Sequence, residues 1–177
     1  MNRNAPQGAA GAERLLLART LRLDESDELV FPRAAAAGEW AIPGGFEFSN
    51  WSEADLVGKA RQAFANGWLG LESFGRATLV AVTPITPEEV AALTERLAAH
   101  FVECWGAPSL DEARPVARAE IDYMLSLCAE QEENTLLALE RVLEPGGVRE
   151  RFRALPTETV DLADIATHGT IDPLGEG

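Results

Sequence analysis

Leu79-Val80-Ala81-Val82-Thr83-Pro84-Ile85-Thr86-Pro87-Glu88-Glu89 is the stretch on which the fold turns. Across residues 71–83, Phe74, Val80 and Val82 share one face at strand spacing, while Leu79 and Ala81 occupy the other. A strand apolar on both faces is covered on both sides, so the segment is predicted to lie centrally in a sheet. The chemistry then changes within three residues. Thr86 can accept from the free amides of a helix start, and Pro87 suits a first turn that needs no N–H from it. Glu88 and Glu89 answer the positive end of the helix dipole. A helix from here to Cys104 follows.

Toward the N-terminus, Leu15, Leu17, Leu21 and Leu23 recur at a spacing of two, broken by Arg19, which is a strand pattern. Asp24-Glu25-Ser26-Asp27 forms a polar turn. Leu29-Val30-Phe31 then predicts a hairpin partner, held to an edge or an end by Pro32. Glu39-Trp40-Ala41-Ile42, the turn Pro43-Gly44-Gly45, and Phe46-Glu47-Phe48 predict a second pair of short strands. Ser52 is the expected cap of a helix running to about Ala65, with Leu56, Ala60, Ala63, Phe64 and Trp68 on its apolar stripe. Asn66-Gly67 would end that helix in a left-handed residue.

Toward the C-terminus, Ser109 and Glu112 match a capping box, although Pro115 could mark the first turn instead. Ala117, Ile121, Met124, Leu125 and Cys128 form an apolar stripe. After Gln131-Glu132-Glu133-Asn134, the stripe resumes through Leu136, Leu139 and Leu143, so two helices or one bent helix are expected. Pro145-Gly146-Gly147 stops that segment, and a short basic helix with Arg149, Arg151 and Arg153 would follow.

Composition bounds the function. The chain has 177 residues, 46% of them apolar and 25% charged, as in ordinary globular domains. Residues 1–12 read as a flexible arm and 13–155 as one α+β domain. Residues 156–177, with five acids and no Lys or Arg, read as an acidic extended or disordered tail. The formal charge of −14 opposes phosphate backbones, so nucleic acid is not an expected partner. No secretory signal pattern and no apolar run of membrane-spanning length is present, which points away from membranes and to the cytoplasm. Cys104 and Cys128 are the only cysteines and imply no disulfide framework.

Recognisable catalytic chemistry is missing from the sequence. Only His100 and His168 could serve a triad, and no Gly-x-Ser-x-Gly elbow accompanies them. Lys59 is the sole lysine and no phosphate loop contains it. His100, Glu103 and Cys104 share one helical face and could offer a metal an imidazole, a carboxylate and a thiolate, with Cys128 from the next helix. Paired Cys-x-x-Cys and Glu-x-x-His signatures are lacking, and a buried thiol beside a satisfied histidine is the blander account. Glu120, Asp122, Glu130, Glu132 and Glu133 could form a carboxylate cluster, but helical spacing scatters most of them over solvent.

Residues 40–74 hold seven of the twelve aromatics. Phe64, Trp68 and Phe74 fit core positions. Trp40, Phe46, Phe48 and Trp51 flank a glycine turn, where large apolar side chains can stay exposed as a partner or ligand surface.

The cassette Phe31-Pro32, Gly38-Glu39-Trp40-Ala41-Ile42-Pro43-Gly44-Gly45-Phe46 and Gly75-Arg76-Ala77-Thr78-Leu79-Val80-Ala81-Val82 resembles an uncharacterised family of alphaproteobacterial proteins over about residues 13–155. That resemblance implies a bacterial cytoplasmic origin and transfers no functional residue.

The expected fold is α+β: four or five mainly antiparallel strands, three to five helices, and a helical second half packed on one face. The expected function is a non-enzymatic binding or accessory protein. It would contact a protein partner, or itself as a homodimer, through Trp40, Phe46, Phe48 and Trp51, with no cofactor. The alternative is a metal-binding protein or metal-dependent enzyme built on His100, Glu103, Cys104 and Cys128. A small-molecule ligand between sheet and helices leaves no separate mark in the sequence.

Overall fold

A computed structural model describes residues 14–22 and 29–155. The expected arm over 1–12, the polar turn at Asp24–Asp27 and the acidic tail over 156–177 lie outside the described residues.

The architecture is α+β, as expected. Strand β1 (Leu15–Leu21) pairs antiparallel with β5 (Leu79–Ile85), which pairs with β6 (Leu136–Glu144), and β6 with β7 (Gly147–Leu155). The order β1-β5-β6-β7 puts the Leu79 strand inside the sheet. Val80 and Val82 are fully buried and Leu79 nearly so, which fits a strand covered on both faces. Three short strands, β2 (Ala41–Ile42), β3 (Trp68–Gly70) and β4 (Arg76–Ala77), form a second antiparallel sheet.

Helix α1 (Gly58–Asn66) lies against β6, while α2 (Pro87–Cys104) and α3 (Leu110–Cys128) pack on each other, and α3 crosses β1 and β2. Thr86 and Glu89 close a reciprocal capping box at the start of α2, at 3.1 and 3.0 Å. For α3 the start falls at Ser109, whose hydroxyl accepts from the Glu112 amide at 3.2 Å. Pro115 sits inside the helix. The stripe Ala117, Ile121, Met124 and Cys128 is buried against the sheet.

Several local expectations are corrected. Leu29 and Val30 are helical rather than a hairpin strand. Residues Gly45–Phe48 form a 3-10 turn, and β2 finds its partner in β3. Ser52 starts a 3-10 turn at Glu53–Asp55 whose carboxylate Asp55 accepts from the Ser52 amide at 2.8 Å, and the α-helix begins later, at Gly58. Gly67 is extended, with φ −91°, rather than left-handed. Its lack of a side chain serves close approach, since a Cβ there would stand 2.9 Å from Arg76 Cδ.

The largest correction concerns 136–155, expected to be helical and found as the hairpin β6–β7 turning at Pro145-Gly146. Leu, Ala, Glu and Arg give Leu136–Glu144 a helical composition, but the pairing of its backbone and the burial of alternate side chains override propensity. The hairpin register sets Leu139 opposite Phe152, Arg141 opposite Glu150 and Leu143 opposite Val148 on the inner face. Arg149 and Arg151 face outward with Glu144 and Glu140, at 2.8 Å each. Arginines at 149, 151 and 153 recur at a spacing of two, the strand signal that a basic-helix reading overlooks.

Candidate functional site

Arg141 on β6 and Arg76 on β4 are buried almost completely, with side-chain exposures of 0% and 5%. A guanidinium out of water must satisfy its donors, and these two do so largely on backbone. Arg141 donates through Nη1 to the carbonyls of Phe64 (2.9 Å) and Gly67 (3.1 Å), through Nη2 to Pro43, and through Nε to Glu150 Oε2 (2.8 Å). Arg76 donates to the carbonyls of Pro43 (3.2 Å), Gly67 (3.0 Å) and Gly44 (3.1 Å), and to Glu47 Oε1.

The pair therefore ties the turn at Pro43-Gly44 to the end of α1, whose last carbonyls have no helical partner. The Phe48 ring lies against both cations, 4.7 Å from Arg76 Cζ and 5.0 Å from Arg141 Cζ. Burial and the neighbouring Arg76 charge push the Arg141 pKa down to about 10, against the pull of Glu150. Burial likewise lowers that of Arg76, opposed by Glu47.

One side of this anchored turn is the wall of a cleft of about 370 Å³. The turn supplies Pro43, Gly45 and Phe46, α3 supplies Glu120 and Tyr123, and β7 supplies Val148 and Glu150. Gly44 holds φ +68°, and a Cβ on it would stand 2.5 Å from that of Leu69. At Gly45 a Cβ would stand 2.5 Å from Glu150 Oε2, so the missing side chain is what lets the carboxylate lie over the turn and reach Arg141.

Glu120 follows the buried Ala117 by three positions on α3 and is partly buried. Burial raises its pKa above the ordinary carboxylate value, and the Glu150 charge adds to the rise. Burial also raises that of Tyr123, helped by Glu150 and Glu120. Glu47 and Glu150 have their arginines, whereas Glu120 has no hydrogen-bond or ion-pair partner among the described residues. Its placement corrects the reading of this acid as part of a solvated helix surface.

The four aromatics expected to form a contact surface are used mostly inside the molecule. Phe48 is buried at 2% exposure, stacked edge-on to Trp51 and Phe64 at 4.8 and 5.3 Å. Trp40 is half-buried beneath the Arg19 guanidinium at 3.8 Å. Phe46, also half-buried, meets Phe101 at 5.0 Å and Trp105 at 5.7 Å, and it alone of the four lines the cleft.

The metal-site expectation is not upheld. Among the described residues no group of three or more His, Cys, Asp or Glu side chains is placed to hold a metal ion. His100 stacks on Phe74 at 3.7 Å, and its Nε2 accepts from Trp105 Nε1 at 3.3 Å, so that nitrogen is occupied. Cys104 is exposed at the end of α2, whereas Cys128 is buried and burial pushes its thiol up to about 12. Glu103 lies exposed on α2.

Sequence reading missed Tyr123, Arg141 and Glu150, and it weighed Glu120 only within a carboxylate group assigned mostly to solvent. For Arg141 and Glu150 the available signal was the alternation of β7 across from β6. For Glu120 the available signal was its helical spacing from Ala117 and Met124, at the margin of the apolar stripe.

The fold and the cleft define an α+β protein that carries an arginine-anchored turn against a helix and an edge strand. The chain belongs to a family of unknown function, DUF6505, whose model matches residues 15–173. This agrees with the resemblance to a family without an established activity. No curated protein and no solved structure matches the chain. Among the described residues, no helix is long and apolar enough to cross a membrane.

Proposed function

We propose that this is a non-enzymatic binding protein whose site is the cleft on the Pro43–Phe48 turn. The observation that supports the reading is the double arginine anchor behind that turn. Burying two guanidiniums is unfavourable unless their donors are met, and apolar residues of similar volume often serve stability as well or better. Here their hydrogen bonds hold a cleft wall in one conformation, and a fixed wall lowers the ordering penalty of binding. Contact thus passes through Phe46 and the cleft rather than through four exposed rings. Trp105, 47% exposed beside Phe46, and Tyr123, 43% exposed in the cleft, offer further aromatic area.

The test compares wild-type protein with Val148→Trp, which fills the cleft from an edge strand, by thermal shift against a panel of small amines, alcohols, carboxylates and aromatic fragments. At least one fragment should stabilise the wild type and lose its effect in the variant. A set of fragment responses unchanged by Val148→Trp would overturn the cleft as the site.

A further inference from the structure

We infer that the ligand of this cleft carries a positive charge on an organic framework, an ammonium or guanidinium group seated against Glu120 and Glu150 with its carbon skeleton on Phe46 and Tyr123. This rests on the cleft being the binding site and adds the class of ligand.

Three carboxylates, Glu47, Glu120 and Glu150, stand beside two guanidiniums, Arg76 and Arg141. The two ion pairs account for four of these groups and leave the charge of Glu120 unbalanced. Position matters as much as number. Both arginines turn most of their donors inward to backbone carbonyls and the rest to Glu47 and Glu150, whereas Glu120 and Glu150 line the cleft. A ligand entering it therefore meets carboxylate oxygens and aromatic carbon, with the arginines behind them.

A cation between Glu120 and Glu150 would relieve their mutual repulsion and supply the counter-charge that Glu120 does not find among the described residues. Two carboxylates alone make a poor cage for a bare divalent ion, which wants six or more oxygens. Aromatic faces favour an organic cation whose hydration is weak. The raised pKa of Glu120 agrees with a carboxylate that lacks its partner, and affinity should rise with pH as Glu120 ionises.

The experiment titrates the full chain with phenethylammonium and with 2-phenylethanol, a neutral molecule of nearly the same shape, at low ionic strength. Calorimetry and ligand-observed NMR follow wild type, Glu120→Gln and Val148→Trp. The amine should bind the wild type about tenfold more tightly than the alcohol, with a preference that falls with added salt. Glu120→Gln should abolish that preference, and Val148→Trp should abolish binding of both. Equal binding of amine and alcohol, lost in Val148→Trp but unchanged in Glu120→Gln, would overturn the cationic class while leaving the cleft in place. Amine binding indifferent to Val148→Trp would overturn both.

Discussion

The molecule is held together in two different ways on its two sides. Beneath α2 and α3, Leu17, Val80, Val82, Leu97, Ile121 and Met124 make a wholly apolar core in which each side chain is replaceable by another of similar volume. Around the Pro43–Phe48 turn, a smaller cluster of Phe31, Phe48, Ala63 and Phe64 adjoins two buried arginines whose partners are particular backbone oxygens. The first arrangement needs hydrophobicity at the right spacing. The second needs particular residues to meet across the chain, as when Arg141 reaches Pro43, 98 positions away. The difference teaches that the turn region is built for shape at the expense of simple packing.

Breaking the polar side should have the larger effect. Arg141→Met strands Glu150 and the Phe64 carbonyl and leaves the Pro43 and Gly67 carbonyls to Arg76 alone, and loss of one partner of a buried pair costs about 3–5 kcal/mol. Urea unfolding should show this, and Arg141→Met combined with Glu150→Gln should recover part of it. Additive losses would mean that the two side chains act independently.

On the apolar side, Leu97→Ala should cost about 3 kcal/mol as a cavity. Its distinguishing outcome is that cleft binding survives. Gly45→Ala comes next, at about 1 kcal/mol, because Glu150 can shift away from the added methyl. Although the loss of stability is smaller, it should weaken ligand binding by displacing the carboxylate that lines the cleft, which the same titrations would detect.

The two regions also differed in how far the sequence revealed them. Val80, Val82, Thr86, Pro87 and Glu89 announce a buried strand and a capped helix, because burial and capping depend on neighbours in the chain. Segment 136–155 misled, since Leu, Ala, Glu and Arg favour a helix while the pairing that makes it a hairpin is tertiary. The candidate site was the least legible part. Spacing from Ala117 and Met124 sets Glu120 at the margin of the buried stripe of α3, but its place in the cleft depends on a turn some seventy residues earlier and a strand about thirty residues later. Conversely, Trp40, Phe48 and Trp51 looked like contact residues because aromatics beside glycines resemble a surface, and only the packing of Phe64 and the arginines draws Phe48 inward.

The smallest change in stability carries the most information. Glu120 has its pKa raised in the fold by burial first and by Glu150 second. The folded state therefore holds this proton more tightly than the unfolded chain does. The stability that this provides is complete below the unfolded carboxylate pKa and is lost as pH rises through the raised value. At neutral pH the ionised group is a burden that glutamine would not impose. The decisive measurement is thus thermal unfolding of Glu120→Gln against wild type at pH 7, run alongside the phenethylammonium titration. A gain of about 1–3 °C together with loss of the amine preference would show a carboxylate kept for binding against the interest of stability. A fall in melting temperature with the amine preference intact would contradict the account.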